Sequence, residues 1–163
     1  MASILARLFE HHRWANLALI DACAGLGQEQ LTAPLSGTFG PIRDTLLHVV
    51  LNEVGYLATI GVVPPDDSFQ WGMDFPGFAA LRARAEWTGR QFIELAAEGD
   101  EDTIVQGEFN GRPFALPRSL FLTQAINHAT EHRAQVKTIR TQLGVQPPEL
   151  DGWTYQRATS TGG

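Results

Sequence analysis

Three histidines occupy positions where a helical protein normally places apolar side chains. His128 and His132 are four residues apart in a segment whose apolar residues recur every three or four positions, between Phe121 and Leu143. Residues at this spacing share one helix face, with Cβ atoms about 5–6 Å apart, so both imidazoles can reach one metal ion at about 2.0–2.1 Å. Taken alone, the pair is equally well explained by two hydrogen-bonded core histidines.

A third histidine favours metal binding over a core role. His48 lies in the almost wholly apolar segment 44–53, where an imidazole without a partner would be poorly solvated. Three imidazoles that converge from two helices form a site of the type that holds zinc or nickel and leaves coordination positions open. We therefore expect His48, His128 and His132 to bind a divalent metal ion.

Two further side chains could complete this site. His12 shares a helix face with Leu8 and Leu19, so it either supplies a fourth ligand or is a core histidine. Glu53, on the same predicted helix as His48, could also close the coordination sphere. A fourth protein ligand would favour a structural ion, whereas three histidines with an open position are typical of a catalytic site.

A zinc-protease signature is also present, but the rest of the chain argues against it. The segment His128-Ala-Thr-Glu131-His132 matches H-x-x-E-H, in which the glutamate is the general base. Such enzymes need a further carboxylate ligand well downstream, and only 31 residues follow His132. We therefore expect Glu131 to hydrogen-bond a ligating imidazole or to pair with Arg133 or Arg43.

Four predicted helices position these residues. Apolar residues recur at helical spacing over residues 3 to about 26, 41 to about 60, about 77 to 97 and about 117 to 144. Pro41 suits the first position of the second helix, where its missing N–H costs no hydrogen bond. Gly144, followed by Pro147 and Pro148, ends the fourth helix. The third helix carries no candidate ligand and is predicted to be structural.

The predicted fold class is all-α, a four-helix bundle with a short hairpin-like excursion before the last helix. The excursion is predicted over residues 103–115, because Asn110-Gly111 between short alternating segments is a strong hairpin-turn signal. A chain of 163 residues fits one domain. We expect the metal-binding bundle to span residues 1–148 and a C-terminal tail to span residues 149–163.

Composition and charge exclude two classes of partner. Twelve Lys and Arg against eighteen Asp and Glu give a net charge of −6, which does not suit nucleic acid binding. No stretch approaches the roughly 18 apolar residues that span a bilayer, so no membrane partner is expected. Cys23 is the single cysteine and has no basic neighbour in the sequence, which predicts a buried structural thiol in a reducing, cytoplasmic compartment.

The sequence resembles the DinB family, helical metalloenzymes that include thiol-dependent S-transferases and mycothiol-dependent maleylpyruvate isomerase. The resemblance lies in residues 13–16 (Arg-Trp-Ala-Asn), residues 38–48 and residues 127–135. One departure is Gly40-Pro41, where the family often has a serine cap. This departure changes how the second helix begins and leaves the candidate ligands untouched.

The resemblance implies a homodimer with nickel or zinc bound by His48, His128 and His132. For characterised relatives it further implies that the metal activates a low-molecular-weight thiol, such as bacillithiol or mycothiol, for transfer to an electrophile. We therefore expect a divalent-metal-dependent enzyme of the thiol S-transferase type, or a related hydrolase or isomerase, with a small-molecule substrate. The alternatives are a non-enzymatic metal-binding or stress-response bundle and a helical dimer whose histidines bind nothing.

Overall fold

The computed structural model describes residues 3–98 and 102–160, and helices dominate both ranges. The elements in chain order are α1 (Ile4–Cys23), α2 (Gln28–Thr32), α3 (Ile42–Thr59), α4 (Phe78–Ala97), β1 (Ile104–Phe109), β2 (Arg112–Pro117), α5 (Arg118–Gln142) and α6 (Gly152–Ser160). The mostly helical class is confirmed, and α1, α3, α4 and α5 begin and end within about three residues of the four predicted helices. No helix in the described ranges is long and apolar enough to cross a membrane.

The all-α prediction is wrong in one respect, because β1 and β2 form a two-stranded antiparallel sheet. Asn110 and Gly111 make the turn with φ values of 51° and 75°, and a two-residue type I′ turn requires positive φ at both positions. This turn aligns the strands so that pairing continues from Phe109–Arg112 back to Ile104–Pro117. The fold is therefore mostly helical with a small sheet, and the predicted hairpin is a regular ribbon that leads directly into α5.

The hairpin is attached to the start of α5 by hydrogen bonds. The backbone N–H of Arg118 donates to the carbonyl of Thr103 at 2.9 Å. The Asp102 carboxylate accepts from the backbone N–H of Ser119 at 2.9 Å and from its hydroxyl at 2.8 Å. These bonds satisfy N–H groups in the first turn of α5 that have no partner within the helix. These bonds hold the base of the hairpin beside α5, the helix that carries two of the three histidines.

The four long helices bury two apolar clusters with polar side chains between them. Helix α1 packs along α4, and α3 packs against both α4 and α5. One cluster contains Leu19, Ile42, Leu81, Val136 and Ile139, among others. The second cluster contains Phe9, Leu57, Phe92 and Leu122. On each long helix a buried polar residue lies between the two clusters, and these residues are His12 and Asn16 in α1, Glu53 in α3, Thr88 in α4 and Arg133 in α5.

Helix α6 lies within the segment predicted as a C-terminal tail, and it packs on α1. The Asp151 carboxylate accepts a hydrogen bond from the backbone N–H of Thr154 at 2.8 Å, which caps the start of the helix. The ring of Tyr155 lies 5.5 Å from the rings of His11 and Trp14, measured between centroids. His11 also hydrogen-bonds the carbonyl of Leu150 at 2.8 Å. Tyr155 therefore packs against α1, whereas Trp153 is exposed.

Gly89 allows α4 to approach α1 closely, and replacing it should destabilise the fold. A Cβ at Gly89 would lie 2.3 Å from Cγ and 2.7 Å from Cβ of Arg13. Because the Arg13 Cβ is held by its backbone, the helices would have to separate. We expect Gly89→Ala to reduce the free energy of unfolding by about 1–3 kcal/mol, measured by urea denaturation.

The matched control is Gly55→Ala in α3. A Cβ at Gly55 meets no atom within 4 Å, so only the higher helix propensity of alanine acts. This variant should be more stable than the wild type by about 0.5–1 kcal/mol. Equal stability of the two variants would show that the α1–α4 approach at Gly89 is not close.

Candidate metal centre

His48 from α3 meets His128 and His132 from α5 where the two helices pack together. The Nε2 atom of His128 lies 3.1 Å from Nε2 of His48 and 3.1 Å from Nε2 of His132. One nitrogen from each ring lies within 4.8 Å of the others. Nitrogens that share an ion at about 2.0–2.1 Å are about 2.9–3.4 Å apart in octahedral or tetrahedral geometry. The three imidazoles, called the histidine trio below, could therefore hold a divalent metal ion.

The surroundings of the trio lower the pKa of two of its imidazoles, those of His48 and His128. Burial, with the charges of His132 and His48 acting in the same direction, lowers the pKa of His128 to about 4. Burial, and next the charge of His132, also lowers the pKa of His48. A metal ion and a proton compete for the same lone pair, so a neutral imidazole is the form that binds metal. At neutral pH these two side chains are in that form.

Gln135 fixes which nitrogen of His132 faces the trio. The backbone N–H of Phe39 donates to Oε1 of Gln135 at 3.0 Å, which identifies this atom as the amide oxygen. Nδ1 of His132 lies 3.0 Å from the same oxygen and must donate its proton to it. The lone pair of neutral His132 is therefore on Nε2, the atom that faces His128. Such an outer hydrogen bond is the usual way in which proteins orient a metal-binding imidazole.

An amide and two aromatic rings hold His48 in place. The side-chain nitrogen of Asn52 donates to the carbonyl of His48 at 2.8 Å and lies 3.2 Å from Nε2 of its ring. The ring of Phe39 stacks on His48, with centroids 4.0 Å apart and planes inclined by 24°. Trp71 lies edge-on to His48 at 6.0 Å. The Phe39 ring also meets the edge of His132 at 5.2 Å, so one phenylalanine covers two of the three imidazoles.

The polar residues between the apolar clusters form a hydrogen-bonded layer next to the trio. Glu53 is 1% exposed, and its Oε1 accepts from His12 and from Asn16, each at 2.7 Å. Its Oε2 accepts from the hydroxyl of Thr88. Arg133 donates to Oδ1 of Asn16 at 2.6 Å, and burial lowers the pKa of Arg133 to about 10. We call these five residues the buried polar layer. Both oxygens of its carboxylate are already bonded.

An open cavity of about 580 Å³ lies beside the trio. Three of the side chains that line it also touch the trio, which places the two next to each other. Asn52 contacts Nε2 of His48, and Trp71 meets the ring of the same histidine. The ring of Tyr56 lies 6.1 Å from that of His128. A molecule bound in the cavity would consequently be close to an ion held by the trio.

Comparisons with known proteins agree with the family that the sequence resembles and with the mostly helical fold. The DinB family model matches residues 1–163. The chain belongs to the DinB family. A similar solved structure is the crystal structure of a DinB-like protein from Bacillus cereus ATCC 10987, with 21% sequence identity and a TM-score of 0.66, which covers 88% of this chain and 93% of that one. At this identity the likeness shows the fold. No curated protein sequence matches the chain.

The further candidate residues for the metal site either have partners outside the trio or face solvent. His12 and Glu53 hydrogen-bond each other within the buried polar layer. Glu131 is exposed, because it lies about 100° around the helix from His132. Its predicted pairing with an arginine is not observed in the described ranges: Arg43 pairs with Asp44 at 3.0 Å, and Arg133 bonds Asn16. Within residues 3–98 and 102–160, the trio is the only group of His, Cys, Asp or Glu side chains spaced to hold a metal.

The residues that orient the trio were not predicted as site residues, although two of them carried a signal. Gln135 follows His132 by three positions and Asn52 follows His48 by four, so each lies on the same helix face as its histidine. A polar residue at that spacing is a candidate for the outer hydrogen bond of a ligating imidazole. Phe39 precedes the helix, and no periodic pattern reaches it. Its position depends on how the loop before α3 folds.

Glu53→Gln should destabilise the protein in a pH-dependent way. Burial acts to raise the pKa of Glu53, but the charge of His12 and hydrogen bonds from His12, Thr88 and Asn16 outweigh it and hold the pKa below its ordinary value of 4.5. The carboxylate therefore stabilises the fold fully above the unfolded pKa, and this contribution is lost as the pH falls through the folded pKa. We expect a loss of about 3 kcal/mol in the free energy of unfolding at neutral pH, because the buried donors around Glu53 lose their charged acceptor. The difference in free energy of unfolding between Glu53→Gln and the wild type should become smaller below about pH 4, where the wild-type carboxylate begins to be protonated.

Glu86→Gln provides the control, measured by urea denaturation over the same pH series. Glu86 pairs with Arg13 at 2.9 Å, but about a third of each side chain is exposed, so this variant should lose no more than about 1 kcal/mol. If both glutamine variants lose the same stability at neutral pH, the buried polar layer does not have the role assigned to it here.

Proposed function

We propose that this DinB-family protein is a divalent-metal-dependent enzyme in which His48, His128 and His132 hold the ion between α3 and α5 of a four-helix bundle. The observation that carries the proposal is that Nε2 of His128 lies 3.1 Å from Nε2 of both His48 and His132, beside an open cavity. Three histidines without a fourth protein ligand are typical of a site that accepts substrate at the metal. Nickel and zinc both suit imidazole ligands, and either would fit this donor set.

The proposed reaction is the transfer of a low-molecular-weight thiol, such as bacillithiol or mycothiol, to a small electrophile. A bound divalent cation stabilises a thiolate over the neutral thiol and so supplies a nucleophile at neutral pH. In the transfer, the sulfur forms a bond to an electrophilic carbon, the leaving group departs with its bonding electrons, and the thiol proton passes to solvent. A related hydrolase or isomerase would use the same three imidazoles with a different reactant.

The contribution of the chain itself is to keep the imidazoles of His48 and His128 neutral and to hold the three rings in a fixed orientation. Gln135 directs the lone pair of His132 toward the other two rings. Phe39 covers His48 and His132, which leaves the side toward Tyr56 and the cavity for reactants. A positioned ligand set next to an open cavity favours catalysis, because reacting groups held in a fixed geometry need less ordering to react.

The alternative function is a metal-binding or stress-response protein without catalysis. A site of this kind would have a fourth protein ligand that closes the coordination sphere. His12 and Glu53 were the candidates for that ligand, and their hydrogen bond to each other supports the enzyme over this alternative. The homodimer, the small-molecule substrate and the cytoplasmic location stay predictions.

Metal content tests the site directly. Purified protein loaded with nickel or zinc should contain about one ion per chain, because three imidazoles at this spacing form a single site. His48→Ala, His128→Ala and His132→Ala should each lose most of that metal, as measured by inductively coupled plasma mass spectrometry. Loading should raise the melting temperature of the wild type, since an ion that binds the folded state stabilises it, and a chelator should reverse the shift.

Two further variants sharpen the metal test. His11→Ala is the matched control, because His11 hydrogen-bonds the Leu150 carbonyl outside the trio and its loss should leave the metal in place. Gln135→Leu removes the outer hydrogen bond of His132 and should weaken metal affinity about 10–100-fold. A wild type that takes up no metal and melts identically with and without chelator would show that the proposal is wrong.

Thiol transfer is tested with metal-loaded protein, bacillithiol or mycothiol, and monochlorobimane as the electrophile. The sulfur displaces chloride from the bimane and produces a fluorescent thioether. We expect metal-loaded wild type to form this adduct faster than metal-free protein, and His128→Ala to fall to the metal-free rate. A loaded protein that accelerates the reaction with neither thiol would exclude S-transfer from these thiols and leave the metal site standing.

A further inference from the structure

One face of the β-hairpin forms a wall of the cavity. In the antiparallel ladder Gly107 pairs directly with Phe114, and Phe109 pairs directly with Arg112, and directly paired residues lie on the same face of a sheet. Phe109, Arg112, Phe114 and Leu116 all line the cavity. A Cβ at Gly107 would lie 2.6 Å from the ring of Phe114, so glycine at this position leaves room for that ring. The hairpin thus has a cavity face and an outer face.

The cavity is mostly aromatic. Phe109 and Phe114 of the hairpin are joined by Tyr56 of α3, Phe121 of α5 and Trp71 from the segment between α3 and α4. Trp71 is 64% exposed and Phe109 is 72% exposed, and exposed aromatic side chains grouped around a cavity indicate a binding site. The volume of about 580 Å³ is several times the roughly 150 Å³ that holds one benzene. The walls therefore suit a flat apolar body larger than a single ring.

Among the described residues that line this cavity, Arg112 is the one that carries a charge. The ion pairs formed within residues 3–98 and 102–160 involve other arginines, namely Arg13, Arg43, Arg82 and Arg84. A guanidinium presents two parallel N–H groups that match the geometry of a carboxylate. The net charge of the chain is −6, so Arg112 is a local positive group at a mostly apolar wall.

We propose that this cavity binds an aromatic carboxylate, with the ring system between the aromatic walls and the carboxylate on Arg112. Binding of this ligand in the cavity does not depend on the proposed function. Only its role as the substrate rests on the proposed function. Through Asn52, Tyr56 and Trp71 the cavity adjoins the trio, so the body of the ligand lies beside the reaction centre. The electrophile is then an aromatic or similarly flat molecule that carries one anionic group.

The test is calorimetric titration of the full chain with 2-naphthoate and with the neutral 2-naphthamide. It is done on metal-loaded protein and again after chelator treatment, so that binding of the carboxylate to a metal is separated from binding to Arg112. In both forms we expect 2-naphthoate to bind about tenfold or more tightly than the amide, because a charge-assisted bidentate contact is lost in the amide.

Three variants define where the probe lies. Arg112→Gln should weaken the binding of 2-naphthoate about tenfold and leave the binding of 2-naphthamide unchanged. Arg90→Gln, which alters an exposed arginine of α4, should change the affinity for neither probe. Gly55→Leu should weaken both probes, because Gly55 lines the cavity and has open space at its Cβ position. Leucine also favours the helix more than glycine, so the loss would not come from unfolding.

Each outcome decides for or against the inference. No binding of 2-naphthoate, equal affinity for the two probes, or equal behaviour of Arg112→Gln and Arg90→Gln would overturn the role of Arg112. Binding that survives Gly55→Leu would place the probe outside the cavity and overturn the site. Arg112-dependent binding to a protein that takes up no metal would uphold this inference and overturn the proposed function. A protein that takes up metal but shows no such binding would overturn this inference and leave the proposed metal site standing.

Discussion

A carboxylate can remain charged inside a protein only when donors around it replace the water that it has lost. Glu53 meets this condition with donors from two other helices: His12 and Asn16 belong to α1, and Thr88 belongs to α4. Arg133 of α5 joins through Asn16. One carboxylate thus links all four long helices at a single level. A shift of any of them along its axis would leave a buried polar group without a partner, and such a group costs about 1–3 kcal/mol or more.

The position of the histidine trio follows from this constraint. His132 is the residue next to Arg133, and His48 precedes Glu53 by five positions on α3. When the buried polar layer fixes the register of α3 against α5, it also fixes the height at which the imidazoles from the two helices meet. Buried ionic groups often add little net stability, and their best attested role is to select one arrangement of helices over others. We infer that role here, because a displacement of about 1 Å would spoil a three-nitrogen site.

The sequence predicted the elements of the fold better than it predicted their surroundings. Helical periodicity and Gly or Pro at the ends were sufficient for the four long helices, and Asn110-Gly111 was sufficient for the hairpin. The same periodicity placed His48, His128 and His132 facing inward. Periodicity could not distinguish these histidines from His12. It shows which residues of one helix face inward, but the side chain that hydrogen-bonds an inward histidine comes from another helix. The pairing of His12 with Glu53 depends on the packing of α1 against α3, and the contact of Phe39 with the trio depends on a loop conformation.

The surroundings of the histidines distinguish those that can bind a cation from those that cannot. His12 has a carboxylate partner and His11 has a carbonyl partner, and in the described ranges neither is grouped with two further side chains that could share an ion with it. Among the residues that the structure describes, no carboxylate contacts the trio directly, and its imidazoles are held by amides, aromatic rings and each other. Neutral ligands leave the two positive charges of a divalent ion without compensation from the protein, which favours an anionic molecule at the open position. The thiolate of a small thiol would meet this requirement, which supports the thiol chemistry that we propose.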